Sequence, residues 1–158
     1  MLKSNDEFWM NRALEQAQLA YEINEVPVGA VVVLDGDIKS CIGRGHNKSI
    51  STNDPCAHAE VVAIRDAAQY VSNYRLANTT IYVTLEPCLM CIGAIIHARI
   101  ERVIFAASDP KTGVLGSKLD CCTLDFINHV PKVVSGVLQS EASTLLKKFF
   151  QEKRSNKK

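Results

Sequence analysis

The alternation of helix-like and strand-like segments most constrains the fold of this chain. Apolar residues recur at helical spacing from position 10 to position 21, and the apolar run Val28–Leu34 that follows is typical of a buried strand. A tight turn at 35–37 predicts a hairpin between that strand and Ile38–Ile42. Beyond the hairpin, helical patterns at 58–70, 88–99 and 140–154 alternate with strand patterns at 80–84, 102–106 and 132–137. This order predicts a mixed sheet with helices on both faces.

The length and the connections indicate one folded unit. A chain of 158 residues can bury one hydrophobic core, and no linker or repeat divides it, so we predict a single domain over residues 1–158. Gly43 and Gly45 predict irregular chain after the hairpin. No apolar run approaches the roughly 18 residues that a membrane span needs, and the first residues are charged where a signal peptide is apolar. We therefore expect a cytoplasmic protein that makes no membrane contact.

Positive charge is concentrated at the C-terminal end. The formal net charge is +1, yet residues 147–158 hold six Lys or Arg and one Glu, which leaves 12 basic and 16 acidic residues before them. A basic tail at about 151–158 is either a solvated chain end or a surface that binds phosphate groups.

Two short motifs carry the chemistry. His58-Ala59-Glu60 and Pro87-Cys88-Leu89-Met90-Cys91 each fall at the start of a predicted helix. Residues three apart share a helix face, and a helix N-terminus favours the thiolate form, so Cys88 and Cys91 can bind one ion together with His58. Three N/S ligands suit zinc and leave a fourth position for a water, which the metal acidifies into a nucleophile. Glu60 is then the candidate that moves the proton of that water.

The other cysteines leave one alternative open. A closed structural zinc site would need Cys56, Cys121 or Cys122 as its fourth ligand. Otherwise these residues and Cys41 are expected to be small core residues, because a reduced Cys is commonly buried. His97 lies within an apolar helical segment and is expected in the core as well.

The motifs and the segments around them resemble a known family. The stretch NYRLANTTIYVTLEPCLMCIGAIIHARIERVIFAASDPKTG at 73–113, the stretch VPVGAVVV at 26–33, and HN followed by DPCAHAE within 46–60 resemble bacterial tRNA-specific adenosine deaminases. The His-x-Glu and Pro-Cys-x-x-Cys pair is a signature of nucleobase deaminases. The resemblance implies a three-layer α/β/α cytidine-deaminase-like fold with a central mixed five-stranded sheet. It also implies a homodimer with one zinc ion per subunit.

The resemblance further implies a substrate and the residues that contact it. The expected reaction is hydrolytic deamination of adenosine to inosine, by a zinc-activated water, at the wobble position in the anticodon loop of an arginine tRNA. His58, Cys88 and Cys91 would bind zinc, and Glu60 would be the catalytic proton carrier. The residues implied in substrate binding are Asn47, Val28, Ala59, Asp109, Lys111 and Phe150.

Two other functions remain open on sequence grounds. A deaminase of a free nucleobase or nucleoside, such as guanine or cytosine, would share the zinc ligands, Glu60 and the fold. A non-catalytic RNA-binding zinc module would have a closed metal site and no use for Glu60. The intact glutamate argues against the second.

Overall fold

The computed structural model describes residues 5–157, so Lys158 of the basic tail lies outside the described part. Its helices and strands alternate nearly as the sequence pattern predicts. In chain order they are α1 (Asn5–Glu22), β1 (Gly29–Leu34), β2 (Ser40–His46), α2 (Ala59–Val71), β3 (Thr79–Leu85), α3 (Leu89–Ala98), β4 (Arg102–Ala107), β5 (Lys132–Ser135) and α4 (Gln139–Ser155).

The five strands form one mixed sheet in the order β2-β1-β3-β4-β5. β1 pairs antiparallel with β2 and with β3, while β3 pairs parallel with β4, and β4 parallel with β5. The parallel pairs need crossovers, which α3 and the segment 108–131 provide. The predicted five-stranded mixed sheet is therefore confirmed.

Each face of the sheet carries its own apolar layer. One core packs β1, β3 and β4 against α2 and α3, through residues such as Ala63, Val83 and Ile95. The other packs the opposite sheet face against α1 and α4, through residues such as Met10 and Tyr82. Helices thus cover both faces, as expected for a three-layer α/β/α fold.

The second strand differs from its prediction. We predicted Ile38–Ile42, but Ile38 is exposed and β2 runs over Ser40–His46. The prediction of irregular chain at Gly43 and Gly45 is therefore wrong. A Cβ on either residue would lie 2.4 Å from a carbonyl oxygen of α2, so these glycines let the helix pack directly on the strand.

Helix α4 closes the fold against α1 and continues through the start of the predicted tail. Phe149 is buried, and its ring lies 6.0 Å from that of Tyr21 on α1. The hydroxyl of Tyr21 also contacts the carboxylate of Glu152. Within residues 5–157, no helix has the length and apolar character to cross a membrane.

Candidate active site

His58 is held at the first turn of α2 by the chain before it. It is the residue that precedes the helix, with extended backbone, and its own side chain caps no helix amide. Asn47 supplies that cap from the end of β2, because its Oδ1 accepts a 2.8 Å hydrogen bond from the N–H of Ala59. The imidazole is therefore free to face the neighbouring helix.

Cys88 and Cys91 occupy the matching position on α3. Cys88 is the residue before the helix, also in extended backbone, and Cys91 is one turn further along and buried. Pro87, which lacks an amide hydrogen, directly precedes this start. Both thiols lie at the positive end of the helix dipole, where the thiolate form is favoured.

The distances among these side chains fit zinc. His58 Nδ1 lies 3.5 Å from the Sγ of Cys88 and 3.5 Å from the Sγ of Cys91, and the two sulfurs are 3.6 Å apart. Tetrahedral zinc would hold two thiolate sulfurs about 3.8 Å apart and each sulfur about 3.6 Å from the imidazole nitrogen. Soft N/S donors of this kind suit zinc. In residues 5–157, these three residues form the one group of Cys, His, Asp or Glu side chains close enough to share an ion.

The same proximity sets the protonation of the three groups. Contact with the neighbouring Cys91 thiol lowers the pKa of Cys88 to about 4. The pKa of Cys91 is raised, chiefly by its contact with Cys88. The pKa of His58 is raised, first by its contact with Cys88. Ligands that already favour one thiolate are prepared to bind a cation.

Glu60 lies beside this group and is buried, with 4 % of its surface exposed. Burial raises the pKa of its carboxyl group, against a smaller opposing effect of its contact with Cys91. A carboxyl group with a raised pKa can both accept and release a proton near neutral pH. This position beside the ligands is the one that a proton carrier requires.

His58 and Cys88 open onto a cleft of about 200 Å³, called here the metal cleft, while Cys91 lies buried behind them. Its lining combines apolar and polar residues. The lining residues are Val26, Val28, Asn47, His58, Glu60, Leu85, Glu86, Cys88, Asp109 and Thr112. The structure thus brings Val28, Asn47 and Asp109 to the cleft. Sequence reasoning missed Val26, Leu85, Glu86 and Thr112, although Glu86 directly precedes the Pro-Cys motif.

Asp109 opens the loop that forms one wall of the metal cleft. Its Oδ1 accepts hydrogen bonds from the backbone amides of Lys111 and Thr112, at 3.0 and 3.2 Å, and its Oδ2 accepts one from the Thr112 hydroxyl at 2.8 Å. These bonds give the loop a defined turn in place of regular secondary structure.

Lys111 and Phe150 do not line the metal cleft. They line a second depression, called here the α4 groove, which is formed by the loop and one side of α4. Its lining residues are Lys111, Leu146, Lys147, Phe150, Gln151 and Arg154. Asp109 and Thr112 face the metal cleft while Lys111 borders the groove, so one short loop separates the two depressions.

Ala59 is fully buried, and the hydrogen-bond partner of its amide is Asn47.

The cysteines outside the ligand group differ in burial, because Cys121 is buried whereas Cys56 is exposed. Neither joins the ligand group, so the structure assembles no closed four-ligand site from the described residues. The expectation that Cys56 and His97 lie in the core is wrong, since both are exposed.

Fold and site together define a metal-binding deaminase. Residues 3–107 match the model of the cytidine and deoxycytidylate deaminase zinc-binding region, and the chain belongs to this family. It is 51 % identical to a tRNA-specific adenosine deaminase of Haemophilus influenzae, over 97 % of this chain and 87 % of that protein. A solved structure from a study of A-to-I editing by tRNA:A34 deaminases at the wobble position superposes with a TM-score of 0.83. That match has 42 % identity and covers 87 % of this chain and 98 % of the other.

A guanine deaminase from Bacillus subtilis is also similar, but over less of both chains. The match has a TM-score of 0.61 and 40 % identity, and it covers 66 % of this chain and 65 % of that one. The likeness to the tRNA deaminases therefore extends over parts of the chain that the guanine deaminase does not match.

Proposed function

We propose that this protein hydrolytically deaminates adenosine to inosine at the wobble position of a tRNA anticodon. The observation that carries the chemistry is the His58, Cys88 and Cys91 group, which reaches one cleft through His58 and Cys88 beside the buried carboxyl group of Glu60. The likeness to tRNA-specific adenosine deaminases over nearly the whole chain supports the substrate. We propose that residues 1–158 act as one catalytic domain in the cytoplasm, where tRNA is used.

The three ligand residues would hold one zinc ion per chain. When bound, the ion would acidify a water molecule and so supply the nucleophile for hydrolysis. Glu60 would take a proton from the attacking water and deliver it to N1 of the adenine ring. It would then take the remaining proton of the added hydroxyl group and deliver it to the amino group, so that the C6–N6 bond breaks, ammonia departs and C6 becomes a carbonyl carbon.

The walls of the metal cleft would hold the base for this transfer. Asn47 uses its Oδ1 on the N–H of Ala59, which leaves its amide nitrogen as the donor available to the base. Val28 would pack against the base. We propose that Ala59 contributes indirectly, because its backbone amide orients the side chain of Asn47. The target adenosine must be flipped out or unpaired to reach the cleft, and an anticodon loop presents it so at little cost.

The α4 groove supports RNA as the substrate. It combines the cations of Lys111, Lys147 and Arg154 with the exposed ring of Phe150. Cations that meet phosphates and an aromatic face on which a base can stack are the usual means of binding single-stranded nucleic acid. Because loop 109–117 separates this groove from the metal cleft, a strand in the groove would arrive directly beside the zinc ligands.

A direct assay decides between this function and its rivals. Purified protein is incubated separately with tRNA, adenosine, cytosine and guanine, and ammonia release is measured. We expect release from tRNA, most strongly from an arginine tRNA that carries adenosine at the wobble position. Preferred release from guanine would instead favour a free-base deaminase, for which the Bacillus subtilis match is the specific support. No release from any substrate would favour a non-catalytic RNA-binding zinc module.

We also propose that the protein is a homodimer, a state implied by its likeness to the family. Light scattering at working concentration should give about twice the chain mass of 17.4 kDa. An active species at the mass of one chain would contradict this.

A further inference from the structure

Glu86 lies on the metal cleft, but its side chain is engaged with a loop. It follows β3, two residues before Cys88, and is 3 % exposed. Its Oε1 accepts a hydrogen bond from the N–H of Asp109 at 3.1 Å and another from the hydroxyl of Ser117. Its Oε2 accepts from the N–H groups of Leu115 and Ser117, at 2.9 and 3.2 Å. Every one of these donors belongs to loop 109–117.

The loop is shaped to enclose this carboxylate. A Cβ on Gly113 would lie 2.4 Å from both Cδ and Oε2 of Glu86, which is far inside van der Waals contact. Only a glycine allows the backbone to approach so closely. The amide of Gly113 also donates to the carbonyl of Asp109, and that of Val114 to the carbonyl of Pro87, so the loop closes around the side chain from both ends.

Loop 109–117 contributes residues to both the metal cleft and the α4 groove. Asp109 and Thr112 line the metal cleft, whereas Lys111 lines the α4 groove. The side chain of Asp109 accepts hydrogen bonds from the backbone amides of Lys111 and Thr112, so these three positions are tied together as one unit. The contact between this unit and the sheet runs through the carboxylate of Glu86.

We propose that Glu86 is a positioning residue that sets loop 109–117 against the metal cleft and thereby aligns the α4 groove with it. Its four acceptor contacts with the loop leave the carboxylate no part in proton transfer. Its effect on substrate binding rests on the proposed tRNA function, while its effect on the loop does not.

Glu86→Gln in the full chain tests this role. The amide replaces an acceptor oxygen with a donor that faces N–H groups, so at least one hydrogen bond to a charged acceptor is lost. We expect backbone amides of loop 109–117 to exchange about tenfold faster or more by hydrogen–deuterium exchange. Peptides from α2 and α3 should keep their exchange rates, and zinc content should be unchanged. The KM for tRNA should rise by about tenfold while kcat falls less.

Gly113→Ala disturbs the same contact from the other side and leaves the carboxylate intact. Its new Cβ must push the loop from Glu86, so the exchange pattern and the KM effect should repeat those of Glu86→Gln. The double variant should add little to either single change. Ser117→Ala removes one of the four donors to Glu86 and keeps the three backbone contacts, so its effect should be smaller than that of either substitution.

Three results would overturn the proposal. Wild-type exchange in loop 109–117 of a folded Glu86→Gln variant would show that the carboxylate does not hold the loop. Loss of zinc with faster exchange in α3 would assign Glu86 to the metal centre. If Glu86→Gln does not fold, wild-type exchange of loop 109–117 in Gly113→Ala would overturn the proposal in the same way. A wild-type protein inactive on tRNA would contradict the proposed function and leave the exchange result standing.

Discussion

The two walls of the metal cleft are built in different ways. The wall that holds His58 and Cys88 consists of two helix starts, each packed on the sheet in the same core. That part of the lining is called here the helix wall. The part at Asp109 and Thr112, called here the loop wall, is a loop that depends on side-chain hydrogen bonds to Asp109 and to Glu86. Packed helices place a metal and a proton carrier with little freedom, whereas the loop is held by hydrogen bonds to the carboxylates of Asp109 and Glu86 and has no regular secondary structure. We infer that the first wall performs the chemistry and the second selects the substrate.

The largest expected effect is at the helix wall. Cys91→Ser should lose zinc and activity together, because a hydroxyl is a poor zinc ligand at this position. Metal analysis and turnover on tRNA measure both. Cys56→Ser is the matched control, since Cys56 is exposed and lies outside the ligand group. Full zinc occupancy with normal turnover in Cys91→Ser would remove Cys91 from the site.

Glu60→Ala should separate the metal from the chemistry. We expect it to keep its zinc and fold and to lose roughly 10²–10⁴ in turnover, near the upper end because the residue serves several proton transfers. Glu60→Gln keeps the shape and hydrogen-bonding size of the side chain and should be equally impaired. Near-normal turnover in either variant would rule out the proton-carrier role.

The residues of the site differ in how far the sequence alone could predict them. His58, Cys88 and Cys91 were predicted because ligand spacing at a helix start is a local property of the chain. Glu86 was missed because its partners lie 23 to 31 residues further along the chain, and no local pattern records such contacts. Lys111 was predicted from its loop, but its position on the α4 groove depends on how α4 packs.

In the fold, too, local features were predicted and features that depend on tertiary contacts were not. The periodicity of α1 and α4 and the apolar run of β1 predicted those elements closely, because burial determines the spacing of apolar residues along each element. The extent of β2 was mispredicted at Gly43 and Gly45, since glycines there reflect the close approach of α2, a tertiary contact.

The α4 groove should affect binding more than chemistry. Replacing Lys111, Lys147 and Arg154 together by Gln should lower the slope of log K for tRNA against log salt. The reduction should be roughly 1.4–2.1 if two or three of them meet single-stranded phosphate. Turnover at saturating tRNA should change little.

The matched control replaces Lys148, Lys153 and Lys157, which carry the same charge but do not line the α4 groove. Its slope should change less. Equal slopes in the two triple variants would mean that the basic end attracts RNA only diffusely.

The smallest expected effect compares two glycines. Gly93→Ala, in α3 with no atom within 4 Å of the new Cβ, should stabilise the protein by up to about 1 kcal/mol. Gly45→Ala places a Cβ 2.4 Å from the carbonyl oxygen of Ala59 and should destabilise by about 1–3 kcal/mol, because it pushes the start of α2 away. Denaturant unfolding measures both. A neutral Gly45→Ala would show that the helix wall is less tightly packed than described.

If the helix wall supplies the chemistry and the loop wall selects the substrate, the protein deaminates one adenosine of a folded tRNA. The most direct measurement is to incubate an arginine tRNA carrying adenosine at the wobble position with the zinc-loaded protein and map inosine along the product. We expect inosine at the wobble position, with adenosines elsewhere intact, and none with Glu60→Ala. Intact wobble adenosine in the tRNA, under conditions where the same protein releases ammonia from guanine, would contradict it.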